Sequence, residues 1–154
     1  MKNWCLRLIL AAIFGLALFL RLYRLPELAT FNYDEARDAI NEREILLGKL
    51  TLLGPESLIG NKTLYFGPLH YYLMAGALKL ADFDPRGPAV WTAILGAATT
   101  IVIFFAGGGL LGAAFYAVFP LAVIFNRWAW NPNTIPFFIA VALLFLKRKR
   151  LFLA

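Results

Sequence analysis

The sequence contains few of the residues from which soluble catalytic sites are usually built. Its 154 residues include one cysteine, Cys5, and one histidine, His70. A single cysteine excludes an internal disulfide and cannot by itself form a zinc site. The chain also lacks a glycine-rich phosphate loop, a serine-nucleophile motif and any paired spacing of metal ligands. These absences argue against the common soluble enzyme classes and leave the cofactor unknown.

Charge is scarce too, and its distribution indicates a membrane protein. Charged residues make up 16% of the chain and hydrophobic residues 61%, with a mean hydropathy of +0.70. A sequence this apolar has more hydrophobic side chains than a soluble core can bury, so we expect lipid around the protein as well as a hydrophobic interior. The net charge of +6 lies mainly at the ends of apolar runs, where basic residues set orientation in a bilayer. We therefore infer that this charge orients the chain in the membrane and does not form a nucleic-acid-binding surface.

The N-terminal segment is typical of a secretory signal or a signal anchor. Lys2 and Arg7 flank the start of an apolar run at residues 8–20, as in the opening regions of a signal peptide. No small-x-small cleavage pattern follows this run. Instead the chain continues with "RLYRLPEL", in which Arg21 and Arg24 can extend from a longer span to the interface. We expect an uncleaved anchor with a cytoplasmic N-terminus.

The later apolar segments predict an all-α, polytopic membrane helix bundle. The segment at residues 68–81 is short for a span of about 20 residues, and acidic residues follow it directly. If it crossed the membrane, the basic "KRKR" at 147–150 would lie outside, against the positive-inside tendency. We therefore place this segment along the outer interface and expect about four spans, with the glycines at 107–109 in a cytoplasmic hairpin. The chain 1–154 is then a single membrane module with spans at 1–25, 86–106, 110–126 and 132–147, and with two interfacial helices in an external loop at 26–85.

The stretch "TFNYDEARDAINEREILLGKL" places five acidic residues directly after the first span. Its small and apolar residues share one helical face with an arginine, whereas Asp38, Glu42 and Glu44 lie elsewhere. This pattern predicts a short amphipathic helix on the membrane surface. The residues of the shared face are Ala36, Ala39, Ile40, Arg43 and Leu47.

The first acids of this helix have a structural and a functional interpretation, and the sequence physics leaves both open. Asn32 and Glu35 have the spacing of a capping box, and acidic side chains suit a helix N-terminus. The functional hypothesis is that Asp34, at the lipid boundary, acts as a general base or holds a cation.

Three stretches in order resemble the N-terminal portion of a known enzyme family. They are "RLYRLPELATFNYDEARDA", "GNKTLYFGPLHYYLMA" and "FNRWAWNPNTIPFF". Together they are similar to the GT-C superfamily of polyprenyl-phosphate-sugar glycosyltransferases, and most to the family of the protein O-mannosyltransferases and bacterial aminoarabinose transferases. Such proteins place an Asp-Glu pair in the first external loop and follow it with two juxtamembrane helices. The resemblance implies transfer of a sugar from a polyprenyl-phosphate donor to an acceptor on the extracytoplasmic side.

The resemblance also implies roles for individual residues. Asp34 matches the aspartate that takes the proton of the acceptor hydroxyl, and Glu35 is its partner, which orients the acceptor or holds the loop. Positive groups near the departing lipid phosphate lower the barrier to transfer. The candidates for this substrate-binding role are Arg37, Lys62, His70 and Arg127.

Two further residues and the possible metal follow from the same comparison. Tyr65 is a candidate for lining the carrier groove or stacking on a sugar. Asn131 is a candidate substrate-binding residue where the family often has an acid, so a divalent cation receives only weak support. For three residues we favour a structural role over substrate binding. We interpret His70 as a member of an aromatic belt, and Trp128 and Trp130 as anchors at the membrane interface.

The enzymes resembled are several times longer, so we expect the N-terminal part of a longer enzyme, with little transfer by this chain alone.

Two other function classes stay open. A non-enzymatic membrane subunit or assembly protein is the alternative, in which the acidic stretch is only a capped surface helix. A small transporter is the third class, but the predicted spans are nearly free of charge after Arg24, which counts against it. The expected location is a plasma or inner membrane, crossed several times.

Overall fold

The computed structural model describes residues 2–29, 31–59 and 62–148, and these are mostly helical. A long first helix is followed by a group of short elements, an apolar helical hairpin and a last helix. The helices are α1 (Lys2–Leu22), α2 (Leu25–Leu28), α3 (Tyr33–Leu46), α4 (Leu69–Leu80), α5 (Arg86–Ile103), α6 (Gly109–Val118), α7 (Pro120–Phe125) and α8 (Ile135–Lys147). A π-helical turn at Phe104–Gly108 follows α5, and a 3-10 turn at Asn131–Thr134 precedes α8.

A small β-hairpin is the one departure from the predicted all-helical fold within the described ranges. Strands β1 (Glu56–Ile59) and β2 (Lys62–Tyr65) pair antiparallel, with Glu56 opposite Tyr65. The turn-forming residues of "GPESLIGNKT", residues 54–63, predict a linker between the two interfacial helices and not a pair of strands. The pairing extends beyond the strands, because the Gly54 N–H donates to the Phe66 carbonyl at 2.9 Å. Gly54 is needed there, since a Cβ would collide with the backbone of the facing segment.

Two segments of the described chain are long and apolar enough to cross a membrane. They are Trp4–Leu22 in α1 and Arg86–Val118, and Gly107 interrupts the second with a φ of +124°. By composition and length they support the prediction of a membrane protein.

The packing of these helices is inverted relative to a soluble core. Large apolar side chains point outward, and Leu8 and Leu111 are 66% and 86% exposed. The buried contact between α1, α5 and α6 is made by the small residues Ala17, Ala97 and Ala117. Small residues let helix backbones approach closely, and lipid tails solvate the outward apolar side chains as well as a protein core would.

The chain reverses direction at the predicted glycine turn. Gly107 and Gly109 have positive φ values of +124° and +59°, which glycine adopts without steric cost. Helices α5 and α6 pack against each other, and both pack against α1. The Lys147 Nζ donates to the Phe105 carbonyl at 3.2 Å, so the end of α8 lies beside this turn. Residues 149 and 150 of the basic "KRKR" lie outside the described residues.

Arg21, near the end of α1, is fully buried, so the expectation that it extends to the interface is wrong. Its guanidinium donates to the carbonyls of Ala117 at 3.0 Å, Tyr116 at 3.2 Å and Ala17 at 3.2 Å. It also lies over the Tyr116 ring, with Cζ 5.4 Å from the ring centroid. Arg24 does extend outward as expected, and it is exposed beside Glu27.

A helix break explains why an arginine is needed here. The chain is extended at Phe119, and Pro120 begins α7. Because proline has no N–H, the Tyr116 carbonyl loses the donor that a continuous helix would supply. Arg21 supplies donors to Tyr116 and to the next carbonyl instead. A buried charge satisfied by backbone carbonyls is the arrangement that a membrane interior tolerates.

Asn126 connects this contact to the loop that follows α7, residues 126–134. Asn126 accepts a hydrogen bond from Arg21 Nε at 3.0 Å and donates from Nδ2 to the Asn133 carbonyl at 3.2 Å. Gly96 of α5 makes room for it, because a Cβ at that position would overlap the Asn126 side chain. Asn133 in turn donates to the Trp128 carbonyl at 3.1 Å. The loop is therefore held from the interior of the bundle.

The remaining elements gather at this end of the bundle. Helix α2 packs on the start of α5, where Leu25 meets Ala89 and Ala93. Helix α4 packs against both α3 and α5. The ends of α1 and α7, the start of α5 and the 126–134 loop therefore lie together with α3 and α4, opposite the glycine turn.

The Arg21 contact gives a stability prediction. Replacing Arg21 with Met leaves the Tyr116 and Ala117 carbonyls and the Asn126 amide oxygen without their donor. Hydrogen bonds of a charged group are worth about 1.5–3 kcal/mol each when a buried partner is left unsatisfied. We expect R21M to lower the thermal midpoint of the purified protein in detergent well below that of the wild type. Arg24→Met, at an exposed arginine three residues away, is the matched control, and equal midpoints for the two variants would contradict the role of Arg21.

Candidate functional site

Glu35 joins α3 to the 126–134 loop. The sequence spacing predicts a capping box, and the structure confirms it: Glu35 Oε2 accepts the Asn32 backbone N–H at 2.9 Å. The other carboxylate oxygen, Oε1, accepts the Ala129 backbone N–H at 3.1 Å. Glu35 is only 7% exposed, and burial raises its pKa while the two backbone donors oppose that rise. Of the two roles expected for Glu35, this geometry is that of a residue holding the loop.

Asp34, the next residue toward the N-terminus, faces open space instead. Its side chain is 47% exposed, and its Oδ1 accepts from Arg37 Nη1 at 2.9 Å. It borders two cavities. One has a volume of about 180 Å³ and is also lined by Asn32, Glu35, Trp128 and Trp130.

The second cavity, of about 160 Å³, lies between α3, the β-hairpin and the 126–134 loop. Asp34 and Arg37 line it from α3, Ser57 and Glu56 from β1, and Asn131 from the loop. The Asp34 carboxylate thus has an arginine on one side and polar and aromatic walls on the others. We call this pair of spaces the Asp34 cavities.

Arg37 is shared between two acids. Its Nη1 binds Asp34, while its Nε and Nη2 donate to Asp38 Oδ1 at 2.9 and 2.8 Å. Asp38 is 1% exposed and also accepts a hydrogen bond from the Tyr71 hydroxyl at 3.2 Å. Burial raises the pKa of Asp38, and Arg37 and Tyr71 oppose the rise. Arg37 uses three of its five N–H groups in these contacts.

The buried face of α3 is acidic, which the amphipathic pattern did not predict. Glu35, Asp38 and Glu42 are all buried on it, and Ile45 continues the same face. Ile40 and Leu47, on the face that was predicted to meet the membrane, are each 64% exposed. The sequence reading separated the two faces correctly. It did not show that the acidic face packs inward, on α4.

Two buried groups on this interface have strongly shifted acidity. Glu42 is 2% exposed, and its Oε2 has no hydrogen-bond partner among the described residues. Burial, with a smaller contribution from the negative charge of Asp38, raises the pKa of Glu42 to about 8. His70, on α4, is 6% exposed, and burial lowers its pKa to about 4. Both groups are therefore neutral near pH 7 in the folded protein.

The placement of His70 corrects the aromatic-belt interpretation. A belt residue lies at the surface, whereas His70 packs inside with Nε2 3.8 Å from Asp38 Oδ2. That separation is too long for a hydrogen bond. The Ala129 backbone lies near the ring and partly offsets the fall in its pKa, yet neither ring nitrogen completes a bond of ordinary geometry with a described residue. His70 does not line the Asp34 cavities.

The other sequence candidates divide into two groups. Asn131 lines an Asp34 cavity, and Tyr65 lines a neighbouring cavity that also contains Arg37. Lys62 is exposed on β2. Arg127 does not line these cavities; its Nη2 donates to the Leu20 carbonyl of α1. Of the four predicted phosphate-binding groups, only Arg37 lies beside Asp34.

A bound cation does not fit this site. The Arg37 guanidinium already neutralises the Asp34 carboxylate, so this carboxylate does not offer a free negative charge to a metal ion. Within residues 2–29, 31–59 and 62–148, no three His, Cys, Asp or Glu side chains are grouped closely enough to hold a metal ion.

Several residues at the site were missed from sequence alone. Asp38 and Glu42 were recognised only as lying off the apolar face, although Glu35, Asp38 and Glu42 follow the spacing of one helical face. That spacing was a usable signal for a buried acidic stripe. Asn126 and Glu56 carried no such signal, because their partners are distant in sequence.

In comparisons with known proteins, no family model, curated protein or solved structure matches the chain.

The acidic interface predicts a specific pH dependence of stability. Glu42 keeps its proton in the folded state up to about pH 8, whereas its ordinary pKa is 4.5. Stability from this group is complete below pH 4.5 and falls as the pH rises to about 8, because unfolding releases the proton over that range. Between pH 7 and 8, where His70 is mostly neutral in both states, we expect the thermal midpoint of the wild type to fall and that of Glu42→Gln to stay nearly constant.

Glu44→Gln is the matched control for this measurement. Glu44 lies two residues away on α3, where it pairs with Lys49 at the surface, so its removal is expected to leave the wild-type slope unchanged. The same slope in wild type and E42Q would show that Glu42 is not the protonated group.

Proposed function

We propose that this chain is a membrane-embedded glycosyltransferase module in which Asp34 is the general base. The observation that carries the proposal is the position of Asp34. Its carboxylate is half-exposed to two cavities and fixed by Arg37, and it lies at the end of the bundle where α1 finishes. That is the position needed by a base that serves a membrane-tethered donor.

We propose a four-span topology, with α1, α5, α6 with α7, and α8 as the spans. Its support is the sorting of elements to two ends. The site, α3 and α4 lie at one end, and the Gly107–Gly109 turn and Lys147 lie at the other. Positive residues at the N-terminus and at the end of α8 then face the cytoplasm. The acidic end with the site faces the extracytoplasmic side.

The reaction is an inverting transfer of a glycosyl group. The acceptor hydroxyl gives its proton to the Asp34 carboxylate as its oxygen forms a bond to the anomeric carbon. The bond from that carbon to the phosphate oxygen breaks, and the electron pair leaves with the polyprenyl phosphate. A general base contributes about 10²–10⁴-fold to such a step when it is within hydrogen-bond reach of the hydroxyl. The exposed Oδ atoms of Asp34 have that access.

The charge of Arg37 is balanced by Asp34 and Asp38, so Arg37 serves the developing phosphate charge as a hydrogen-bond donor and not as a free cation. It lies beside Asp34 and retains two N–H groups outside its contacts with Asp34 and Asp38. A fixed guanidinium aimed at developing negative charge lowers a barrier without reorganising. Trp128 and Trp130, on the wall of the Asp34 cavity of about 180 Å³, are suited to contact apolar parts of the carrier.

The alternative is a non-enzymatic membrane subunit, and two contacts favour it. Glu35 is fully used in the capping box and the Ala129 contact. Asp34 pairs with Arg37 three residues later, which is an ordinary stabilising pair within a helix. In that case the cavities are only the space left between α3 and the loop.

Substitution of Asp34 separates the two functions. Asp34→Asn keeps the size of the side chain but removes the base. Transfer of a labelled sugar from a polyprenyl-phosphate donor in membranes, measured with this module in a longer enzyme because the chain alone is expected to transfer little, should fall by about 100-fold or more. Binding of the donor should persist, because Arg37 and the cavity walls remain. Glu44→Gln is the control, since Glu44 is on the same helix but away from the Asp34 cavities.

Two results would contradict the enzymatic proposal. One is transfer by D34N at the wild-type rate. The other is a wild-type protein that neither transfers sugar nor binds polyprenyl phosphate saturably in reconstituted membranes.

Cysteine accessibility tests the topology. In a Cys5→Ser background, single cysteines at Leu52, Lys79 and Lys147 report on the external loop, the end of α4 and the end of α8. We expect a membrane-impermeant thiol reagent to label the first two from the extracytoplasmic side and the third from the cytoplasmic side. Labelling at Lys79 only from the cytoplasm would show that α4 crosses the membrane and would remove the four-span arrangement.

A further inference from the structure

A third cavity is lined by Arg37 but not by Asp34. Its volume is about 310 Å³, and its walls come from α3, α4, the β-hairpin and the segment before the hairpin. Its polar lining residues are Arg37, Asn41, Thr51, Glu56, Tyr65 and Tyr71. We call it the hairpin cavity. Arg37 and Glu56 also line an Asp34 cavity, so the two spaces are neighbours.

The β-hairpin presents an acid and an aromatic ring to this cavity as a pair. Glu56 and Tyr65 are opposite each other in the register of β1 and β2, so their side chains project from the same face. Both line the hairpin cavity. Neither the Glu56 carboxylate nor the Tyr65 hydroxyl bonds to any residue that the structure describes. Their hydrogen-bonding capacity is therefore available to a ligand.

The opposite walls are fixed in place. The Thr51 N–H donates to the Tyr72 hydroxyl at 3.2 Å, and that hydroxyl donates to the Thr51 carbonyl at 2.9 Å. On α3, Asn41 Nδ2 donates to the Arg37 carbonyl at 2.9 Å. A cavity whose walls are held by such contacts does not need to be assembled when a ligand binds.

The charges of the lining select the class of ligand. Arg37 is compensated by Asp34 and Asp38, which leaves Glu56 as an unpaired negative charge at the wall. An anionic group such as a phosphate would be repelled there. A neutral ring with several hydroxyls fits, because its O–H groups can donate to Glu56 while its apolar C–H face lies on the Tyr65 ring. The volume is at the lower end of the range for small-molecule sites.

We propose that the hairpin cavity binds a neutral pyranose ring, with Glu56 and Tyr65 as its specificity-determining residues. Binding stands on this geometry alone. That the bound ring is a substrate rests on the proposed transferase function, because the neighbouring Asp34 cavity would then hold the base.

Binding of methyl glycosides tests this proposal without requiring transfer. The protein is placed in nanodiscs without sugar-based detergent, and methyl α-mannopyranoside, methyl β-glucopyranoside and methyl β-galactopyranoside are titrated by saturation-transfer NMR. We expect saturable binding of at least one of them. Glu56→Gln and Tyr65→Ser should each weaken it by about fivefold or more, since each removes a principal contact.

Leu64→Ala is the matched control. Leu64 is next to Tyr65 on the opposite face of the same strand, so its substitution should change affinity less than about twofold, as expected for a residue outside the contact. Tyr65→Trp keeps an aromatic face and should retain binding, with quenching of its fluorescence by the glycoside. This second variant separates loss of the contact from loss of the hairpin.

The source of the ring is found by competition. Displacement of the methyl glycoside by a polyprenyl-phosphate sugar, but not by polyprenyl phosphate, identifies the donor sugar. Persistence of glycoside binding beside a bound donor identifies the bound ring as the acceptor.

No saturable binding of any of the three glycosides, or equal binding by wild type, E56Q and Y65S, would overturn the proposal. Glycoside binding by an Asp34→Asn protein with unaltered transfer would sink the proposed function and leave this inference intact.

Discussion

The site depends on one carboxylate that bonds to two separate backbones. Glu35 accepts one N–H from the start of its own helix and one from Ala129 in the 126–134 loop. The first contact fixes where α3 begins, and the second fixes α3 against the bundle. Glu35 therefore links α3 directly to the loop that carries Trp128 and Trp130, which line the space beside Asp34. The division of labour between the adjacent acids follows from it: Glu35 is buried and structural, while Asp34 remains accessible.

The loop that receives Glu35 is held just as firmly from the other side. Arg21 bonds to Asn126, and Asn126 bonds to the Asn133 carbonyl. The proline break between α6 and α7 frees the carbonyls that Arg21 needs, and the absence of a Cβ at Gly96 gives Asn126 its place. In lipid, where a polar group without a partner is expensive, such a connected set of donors and acceptors is strongly constrained. The loop that forms one wall of the site is thus held on two sides, by Glu35 and by Asn126.

The acids on the inner face of α3 show how burial separates groups of the same chemistry. Asp38 is paired with Arg37 and Tyr71, whereas the Oε2 of Glu42 has no described partner and the residue remains protonated near neutral pH. A third acid, Glu44, lies half-exposed beside Lys49. A carboxyl group on α3 is therefore an ion-pair partner, a neutral buried acid or a surface charge, depending on the direction in which its position on the helix faces. Packing of α3 on α4 decides this outcome.

The sequence by itself determined the features that depend on neighbours in the chain. Apolar length and composition predicted the membrane-length helices, the glycines at 107–109 predicted the reversal, and the spacing of Asn32 and Glu35 predicted the cap. Only the tertiary structure decided which groups meet across long separations. Arg21 turns inward because a break some 95 residues later exposes carbonyls to it, and the β-hairpin brings Glu56 and Tyr65 beside Arg37. These contacts form because buried polar groups must find partners somewhere in the fold, and no local pattern in the sequence says where.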